Sequence, residues 1–201
     1  MKQIIIIILG LVCSFASLAQ EQVEHIIPMD QINVIVLTSN GETYFEASNS
    51  NDLQIESKKH TKGKVIGYKF PAESITFDVD YRMSSDTLYL MTPRKNSPKI
   101  IGITTYSEAI ENRISLPKDK KLLIVKAEKL HFEGISNDVV IQAAQQTTFN
   151  NLVKSEIAEL KCTATQSLRL NDEKKAKEFE LYSNGNQILA INATRIQLYI
   201  E

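Results

Sequence analysis

Residues 139–171 read VVIQAAQQTTFNNLVKSEIAELKCTATQSLRLN, and the phasing of their apolar residues decides the fold. Val139/Ile141, Thr147/Phe149, Leu160/Cys162 and Leu168/Leu170 are short pairs at two-residue spacing. In an extended chain that spacing puts both members of a pair on one face. The texture extends from Lys118 to Glu201, a stretch without proline whose only glycines are Gly134 and Gly185. Leu123/Val125, Leu130/Phe132, Phe179/Leu181, Leu189/Ile191 and Ile196/Leu198 continue the series. Taken alternately, one family falls at 123, 139, 160, 179 and 196, and the other at 130, 147, 168 and 189. Asn150, Asn171 and Asn192 follow the second family at equal intervals.

This pattern predicts an all-β fold, a β-solenoid of stacked two-strand rungs of about 19 residues. A single rung cannot bury its apolar face, but stacked rungs share one core. Asparagine suits a recurrent corner because it tolerates the left-handed conformation and its amide satisfies turn backbone groups. The alternative is an antiparallel β-sandwich, whose short strands also recur at a regular spacing.

Upstream, residues 20–117 predict less regular β-strands stacking on the repeat region 118–201, as one continuous domain 20–201. All five prolines lie here, at 28, 71, 93, 98 and 117. Ile32, Val34 and Val36 alternate with Asn33, Ile35 and Leu37, a strand apolar on both faces. Ser39-Asn40-Gly41-Glu42 follows, and Asn-Gly predicts a two-residue hairpin into Thr43–Ala47. Further short strands are expected at Leu53–Ile55, Val65–Phe70, Ile75–Val79, Leu88–Met91 and Ile100–Tyr106. Ser107–Arg113 and Val153–Leu160 are the two stretches with any helical spacing, and neither is favoured as a helix.

The first residues predict export. Lys2, the apolar run Ile4–Leu9 and the small residues Ser17 and Ala19 have the form of a signal peptide over 1–19, cleaved before Gln20. The run is short of the roughly 20 residues of a transmembrane helix. Val12 stands where a lipobox before Cys13 wants a small residue. No later segment approaches spanning length, so no transmembrane span is expected in the exported chain. With Lys2 removed it carries 22 basic and 24 acidic residues. That balance suggests neither nucleic acid nor an acidic membrane surface as partner. Cys162 is then the one cysteine left, spaced as an inward-facing thiol with no intramolecular disulfide partner.

A search for chemistry yields no catalytic, cofactor-binding or metal-ligating residue, and no cofactor. His25, His60 and His131 lie in separate segments without a second His or Cys at ligand spacing. Asn49, Asn51 and Asp52 come closest to a calcium loop, and a polar turn accounts for them. Glu159, Glu178 and Glu180 alternate with Lys161 and Lys177 as on a solvated sheet face. No serine has a Gly-x-Ser-x-Gly context. Lys58, Lys59, His60, Lys62 and Lys64 form the sharpest charge cluster, read as a solvated loop with anionic glycan or lipid phosphates as its ligand alternative. Asp86-Thr87-Leu88 matches a short bacterial O-glycosylation acceptor.

The stretch INVIVLTSNGETYFEASNSNDLQIESK resembles the opening of bacterial exported "putative adhesin" domains, among them the auto-transporter adhesin head domain with GIN-type repeats. NRISLPKDKKLLIVKAEKLHFEGI, at Asn112–Ile135, resembles the segment there that leads into solenoid repeats. The corners TTFNN, LRLND and LAINA are similar in kind. The resemblance covers most of 23–201 and departs from it in carrying Asn, Lys or Glu where the family carries glycine. It implies an exported, Bacteroidetes-like β-solenoid with no established enzymatic activity and assigns no functional residue.

The expectation is therefore an exported, non-catalytic, adhesin-like module, periplasmic, at the cell surface or secreted, with a protein or glycan partner at the envelope. The alternatives are a carbohydrate-active enzyme on a β-helix, which needs carboxylates converging in a groove, and a small-ligand or lipid carrier, which needs an apolar cavity. The C-terminal strand 195–200 is a candidate edge for self-association, with Gln20–Met29 as a segment that would cap it.

Overall fold

The computed structural model describes residues 20–70, 76–95, 98–152, 159–172, 188–193 and 196–200. Every regular element among them is a strand. In chain order these are β1 (Gln20–Pro28), β2 (Val34–Thr38), β3 (Glu42–Ser48), β4 (Asp52–Lys62), β5 (Val65–Phe70), β6 (Asp80–Ser84), β7 (Thr87–Met91), β8 (Lys99–Thr104), β9 (Ser107–Pro117), β10 (Lys121–Glu133), β11 (Val139–Asn150), β12 (Glu159–Asp172), β13 (Ile188–Ala193) and β14 (Ile196–Ile200). Ser107–Arg113 is thus strand, because its alternation buries Ile110 and Asn112 against neighbouring strands. The signal-peptide expectation for residues 1–19 and the pair Phe179/Leu181 lie outside the described residues.

The centre of the sheet is parallel and in register. Leu122 of β10 faces Val139 of β11 and Glu133 faces Asn150, so the offset in sequence is the same at both ends of the ladder. Val139 in turn faces Leu160 of β12 and Asn150 faces Asn171, again with one constant offset. Apolar residues therefore stack on apolar residues from tier to tier. One column runs Leu90, Leu37, Ile124, Ile141 and Cys162, and its register continues to Ile191. A second runs Leu88, Ile35, Leu122, Val139 and Leu160, and its register continues to Leu189. A third contains Phe45, Phe132 and Phe149, whose rings stack at 4.6 Å with interplanar angles of 10° and 15°. All three phenylalanines are buried. Aromatic pairs of this kind add about 0.5–1.5 kcal/mol each beyond their area burial.

Residues 20–117 contribute to the same stack. The first part of β10 pairs in parallel with β2 and its second part with β3. Beyond them, β7 pairs in parallel with β2, and β9 with β3. The Asn40-Gly41 hairpin expectation is corrected here, because β2 and β3 are not paired with each other. Asn40-Gly41 is instead the corner between β2 and β3, which pair with successive parts of β10. Asn40 Nδ2 donates to the Thr92 carbonyl at 2.9 Å and its backbone N–H to Thr92 Oγ1 at 2.8 Å. Gly41 takes φ 80°, and a Cβ there would lie 2.4 Å from the Ile110 carbonyl oxygen.

Three further expectations change. In β10 the buried pair is Leu122/Ile124 rather than Leu123/Val125, and Val125 is 39% exposed. Four consecutive apolar residues left the phase open, and stacking between Ile35/Leu37 and Val139/Ile141 fixes it. At the far end, Leu189/Ile191 pairs under Leu160/Cys162, and Ile196/Leu198 under Leu168/Leu170. This is opposite to the alternating count, because pairs within one tier lie close in sequence while the segment between β12 and β13 is long. The asparagine series accordingly stops at two members, since the partner of Asn171 is Tyr199. After β11 the left-handed residue is Asn151, with φ 51°, and not Asn150.

Where the stack meets its first strands the pairing becomes antiparallel. β4 pairs with β9, β1 with β4, and β6 with β7. Gln20–Pro28 therefore covers the end opposite to β13 and β14, and not the C-terminal edge. Beyond Lys62 and Ser107 the β4/β9 ladder continues as a separate two-stranded ribbon, β5 against β8. At the seam a buried polar network replaces apolar packing. The Ser57 hydroxyl donates to Asn112 Oδ1 at 2.8 Å. Asn112 Nδ2 donates to the Asn40 carbonyl at 2.8 Å and to Thr43 Oγ1 at 3.1 Å. The Thr43 and Ser39 hydroxyls share a further hydrogen bond.

Candidate functional site

Alternation in strands that bury one face presents the other to solvent. In-register pairing then aligns the outward residues of separate segments into rows. The central row runs Glu24, Glu56, Arg113, Tyr44, His131, one residue each from β1, β4, β9, β3 and β10. On one side of it lie Gln54, Ser115, Glu46, Glu133 and Asn150, and on the other Lys58, Glu111, Glu42, Lys129 and Gln146.

At the middle of this polar face the Tyr44 ring stacks on the His131 ring at 4.6 Å and 13°. His131 Nε2 lies 2.8 Å from Glu42 Oε1. The Arg113 guanidinium carbon is 5.8 Å from the Tyr44 ring centroid, within cation–π range, and Arg113 Nε donates to Glu111 at 3.0 Å. Glu56 accepts from Lys58 at 2.6 Å and from Gln22 Nε2 at 3.0 Å. Burial, and next the Glu42 carboxylate, raises the Tyr44 phenol pKa above its ordinary value, so the ring remains a neutral hydrogen-bond donor. The hydrogen bond to Glu111 strengthens the hold of Arg113 on its proton. Beside this centre, Lys129, Gln145, Gln146, Gln166 and Ser167 line a depression of about 540 Å³. The arrangement supplies a charged, hydrogen-bonding platform with aromatic area at its centre.

The residues singled out in sequence fall in several places. His131 joins this face. His25 lies elsewhere, its Nε2 2.7 Å from Asp78 Oδ1, a contact that lowers the Asp78 pKa. His60 follows Glu56 and Lys58 at alternate positions of β4, beyond the row that holds Lys58. Among the described residues no three His, Cys, Asp or Glu side chains come together as a metal-ligand set. At 48–52 the Ser48 and Ser50 hydroxyls accept from the Ser50 and Asp52 N–H groups at 3.0 Å, making a polar turn. The lysine cluster lies on β4, its ribbon end and the joint beyond it, with Lys59 2.8 Å from Glu21. Thr87 begins β7 and donates to Asp86 at 3.2 Å. Lys161 is exposed, while Glu178, Glu180 and Lys177 lie outside the described residues. Cys162 is buried, which raises its thiol pKa to about 12.

Tyr44 and Arg113 were not found from sequence. They are remote along the chain and meet only through the parallel β3/β9 register.

No family model matches the chain, and no curated protein does. Solved structures show distant similarity. A putative cell adhesion protein from Clostridium sporogenes is similar over 90% of this chain and 96% of its own, at 10% identity and a TM-score of 0.42. A putative adhesin from Parabacteroides merdae covers 89% of this chain and 77% of its own, at 12% identity and a TM-score of 0.25. A putative lipid binding protein from Parabacteroides distasonis covers 75% and 62%, at 9% identity and a TM-score of 0.27. No helix among the described residues is long and apolar enough to cross a membrane.

Proposed function

We propose that the chain is an exported, non-catalytic β-solenoid that binds a protein or glycan partner of the cell envelope through the polar face of β9, β3 and β10. The solenoid assignment is supported by parallel tiers at constant sequence offsets, with apolar columns running through them. The observation that carries the binding role is the row Glu56, Arg113, Tyr44, His131, which brings arginine, tyrosine and histidine side by side on an open surface. Arginine and tyrosine are side chains on which binding energy concentrates at protein interfaces. Glu42, Glu56 and Glu111 each engage a cation or donor on this face, which fixes their carboxylates for recognition of a polar partner.

The test measures binding of the purified protein to a glycan array and to envelope fractions, alongside Arg113→Ala and Tyr44→Ala. The expected result is a ligand whose affinity falls at least tenfold in both variants while their melting temperatures stay near wild type. Unchanged binding in both variants would remove the role of the face. Release of reducing ends from acidic polysaccharides by the wild-type protein would replace the non-catalytic reading with the enzymatic one.

A further inference from the structure

The ribbon β5/β8 pairs Ile66 with Ile103, Tyr68 with Ile101 and Phe70 with Lys99. Residues directly opposite in an antiparallel ladder share a face. Ile66, Tyr68, Phe70, Ile101 and Ile103 thus form one apolar face, and their exposures run from 48% to 76%. A soluble protein rarely leaves so many large apolar side chains together in water unless they meet something. On the reverse face Gly67 and Gly102 stand opposite each other at φ 140° and 142°. A Cβ on either would lie 2.2 Å or 2.1 Å from a carbonyl of the other strand, so the crossing is restricted to glycine, with the pair Val65 and Thr104 next to it on that side.

The charge around this face is one-sided. Residues 57–72 hold five lysines and no acid, and 87–107 hold one arginine, two lysines and no acid. Lys58, Lys59 and Lys95 pair with glutamates of the main sheet. Lys62, Lys64 and Lys99 are exposed and make no ion pair among the described residues. Whole-chain balance hides this, because the acids lie elsewhere. A second copy of the chain would bring the same cations against these cations. An apolar face with tyrosine and phenylalanine, rimmed by free lysines, matches the interface of an anionic bilayer, where rings enter the headgroup region and lysines meet phosphates.

We infer that the β5/β8 ribbon is a membrane-docking arm that inserts Ile66, Tyr68, Phe70, Ile101 and Ile103 into the surface of an anionic lipid leaflet, held by Lys62, Lys64 and Lys99. This surface is separate from the polar face, and the inference stands whether or not that face binds a partner.

Co-sedimentation of the purified protein with vesicles tests it, using phosphatidylcholine alone and phosphatidylcholine with one third phosphatidylglycerol. Partition into the anionic vesicles should exceed that into neutral ones at least tenfold, and should fall at least tenfold between low and high salt. Each lysine removed should weaken binding about fivefold, so the Lys62→Gln/Lys64→Gln double variant loses more than tenfold. The Ile101→Ser/Ile103→Ser variant should lose at least tenfold with an unchanged circular dichroism spectrum, while Ile26→Ser, on the exposed face of β1, binds as wild type. Absence of wild-type binding to anionic vesicles, or binding that the lysine and isoleucine variants both retain, would overturn the inference. So would a wild-type dimer that Ile101→Ser/Ile103→Ser turns monomeric without any vesicle binding, since the face would then belong to a second copy.

Discussion

Ile141 of β11 and Ile101 of β8 are both isoleucines at alternating positions of a strand. Ile141 is wholly buried, whereas Ile101 is 65% exposed. The two side chains are chemically the same, so their surroundings make the difference. β11 has a parallel neighbour on each edge, and its inward residues stack on like residues above and below. The ribbon has two strands and no further neighbour among the described residues, and a glycine pair sits at the middle of its other face. An isolated two-stranded ribbon is marginal in water, and this one extends a ladder that the main sheet already holds. Parallel strands held in register can share a core, while a ribbon held only at its base leaves its apolar face available.

The largest expected effect lies at the centre of the tiers. Phe132→Ala removes the middle ring of the Phe45–Phe132–Phe149 stack and should cost about 3–5 kcal/mol in urea unfolding. A loss below about 1 kcal/mol would mean the column is not the core that separates this region from the ribbon. Next comes the junction of β9 with β3 and β4. Asn112→Ala leaves the Ser57 and Thr43 hydroxyls and the Asn40 carbonyl short of a partner, and should cost about 1–3 kcal/mol. Asn112→Asp keeps the acceptor for Ser57 but removes the amide donor, and should recover little of the loss.

This division was partly legible in the sequence. Pairs at two-residue spacing marked the inward residues from Leu130 to Cys162, because each inward pair is flanked by polar residues. At KLLIVK the phase was ambiguous, since either alternation buries two apolar residues, and only the tiers above and below decide it. The corner at Asn40-Gly41 carried a strong local hairpin signal that tertiary pairing overrode. Neither the polar face nor the ribbon face could be read linearly. The face joins residues 42–46, 111–115 and 129–133, and the ribbon face joins 66–70 with 101–103. Sequence spacing within a strand says which side a residue takes, but not which strand lies beside it.

A smaller effect separates the regions by pH. Burial in the tiers raises the Cys162 thiol pKa from 9.0 to about 12. Above pH 9 the unfolded thiol loses its proton while the folded one keeps it, so the unfolded state binds fewer protons and stability falls as pH rises. The loss should be about 1 kcal/mol between pH 9 and pH 10, and Cys162→Ala should abolish it. Tyr106, raised to about 12 chiefly by burial and then by its bond to Glu108, adds a further loss above pH 10. A thiol reagent that modifies the native protein at pH 8 as fast as the unfolded chain would place Cys162 outside the core.

The smallest effect is the sharpest test of the contrast. Tyr68→Ser and Ile103→Ser remove apolar side chains as large as those in the tiers, but their side chains are mostly in water in the folded protein. Transfer to an unfolded chain changes their surroundings little, so each should alter global stability by about 0.5 kcal/mol or less. The unfolding slope against urea should also stay constant, because it follows the surface newly exposed on unfolding. Amide exchange adds a local reading. Protection in 65–70 and 99–104 should be low and independent of that in β10 and β11, since a ribbon paired on one edge opens without disturbing the stack. A loss above about 2 kcal/mol for Ile103→Ser would show that something of the chain covers the ribbon in solution. It would then belong with the tiers, and its apolar face would be core rather than contact surface.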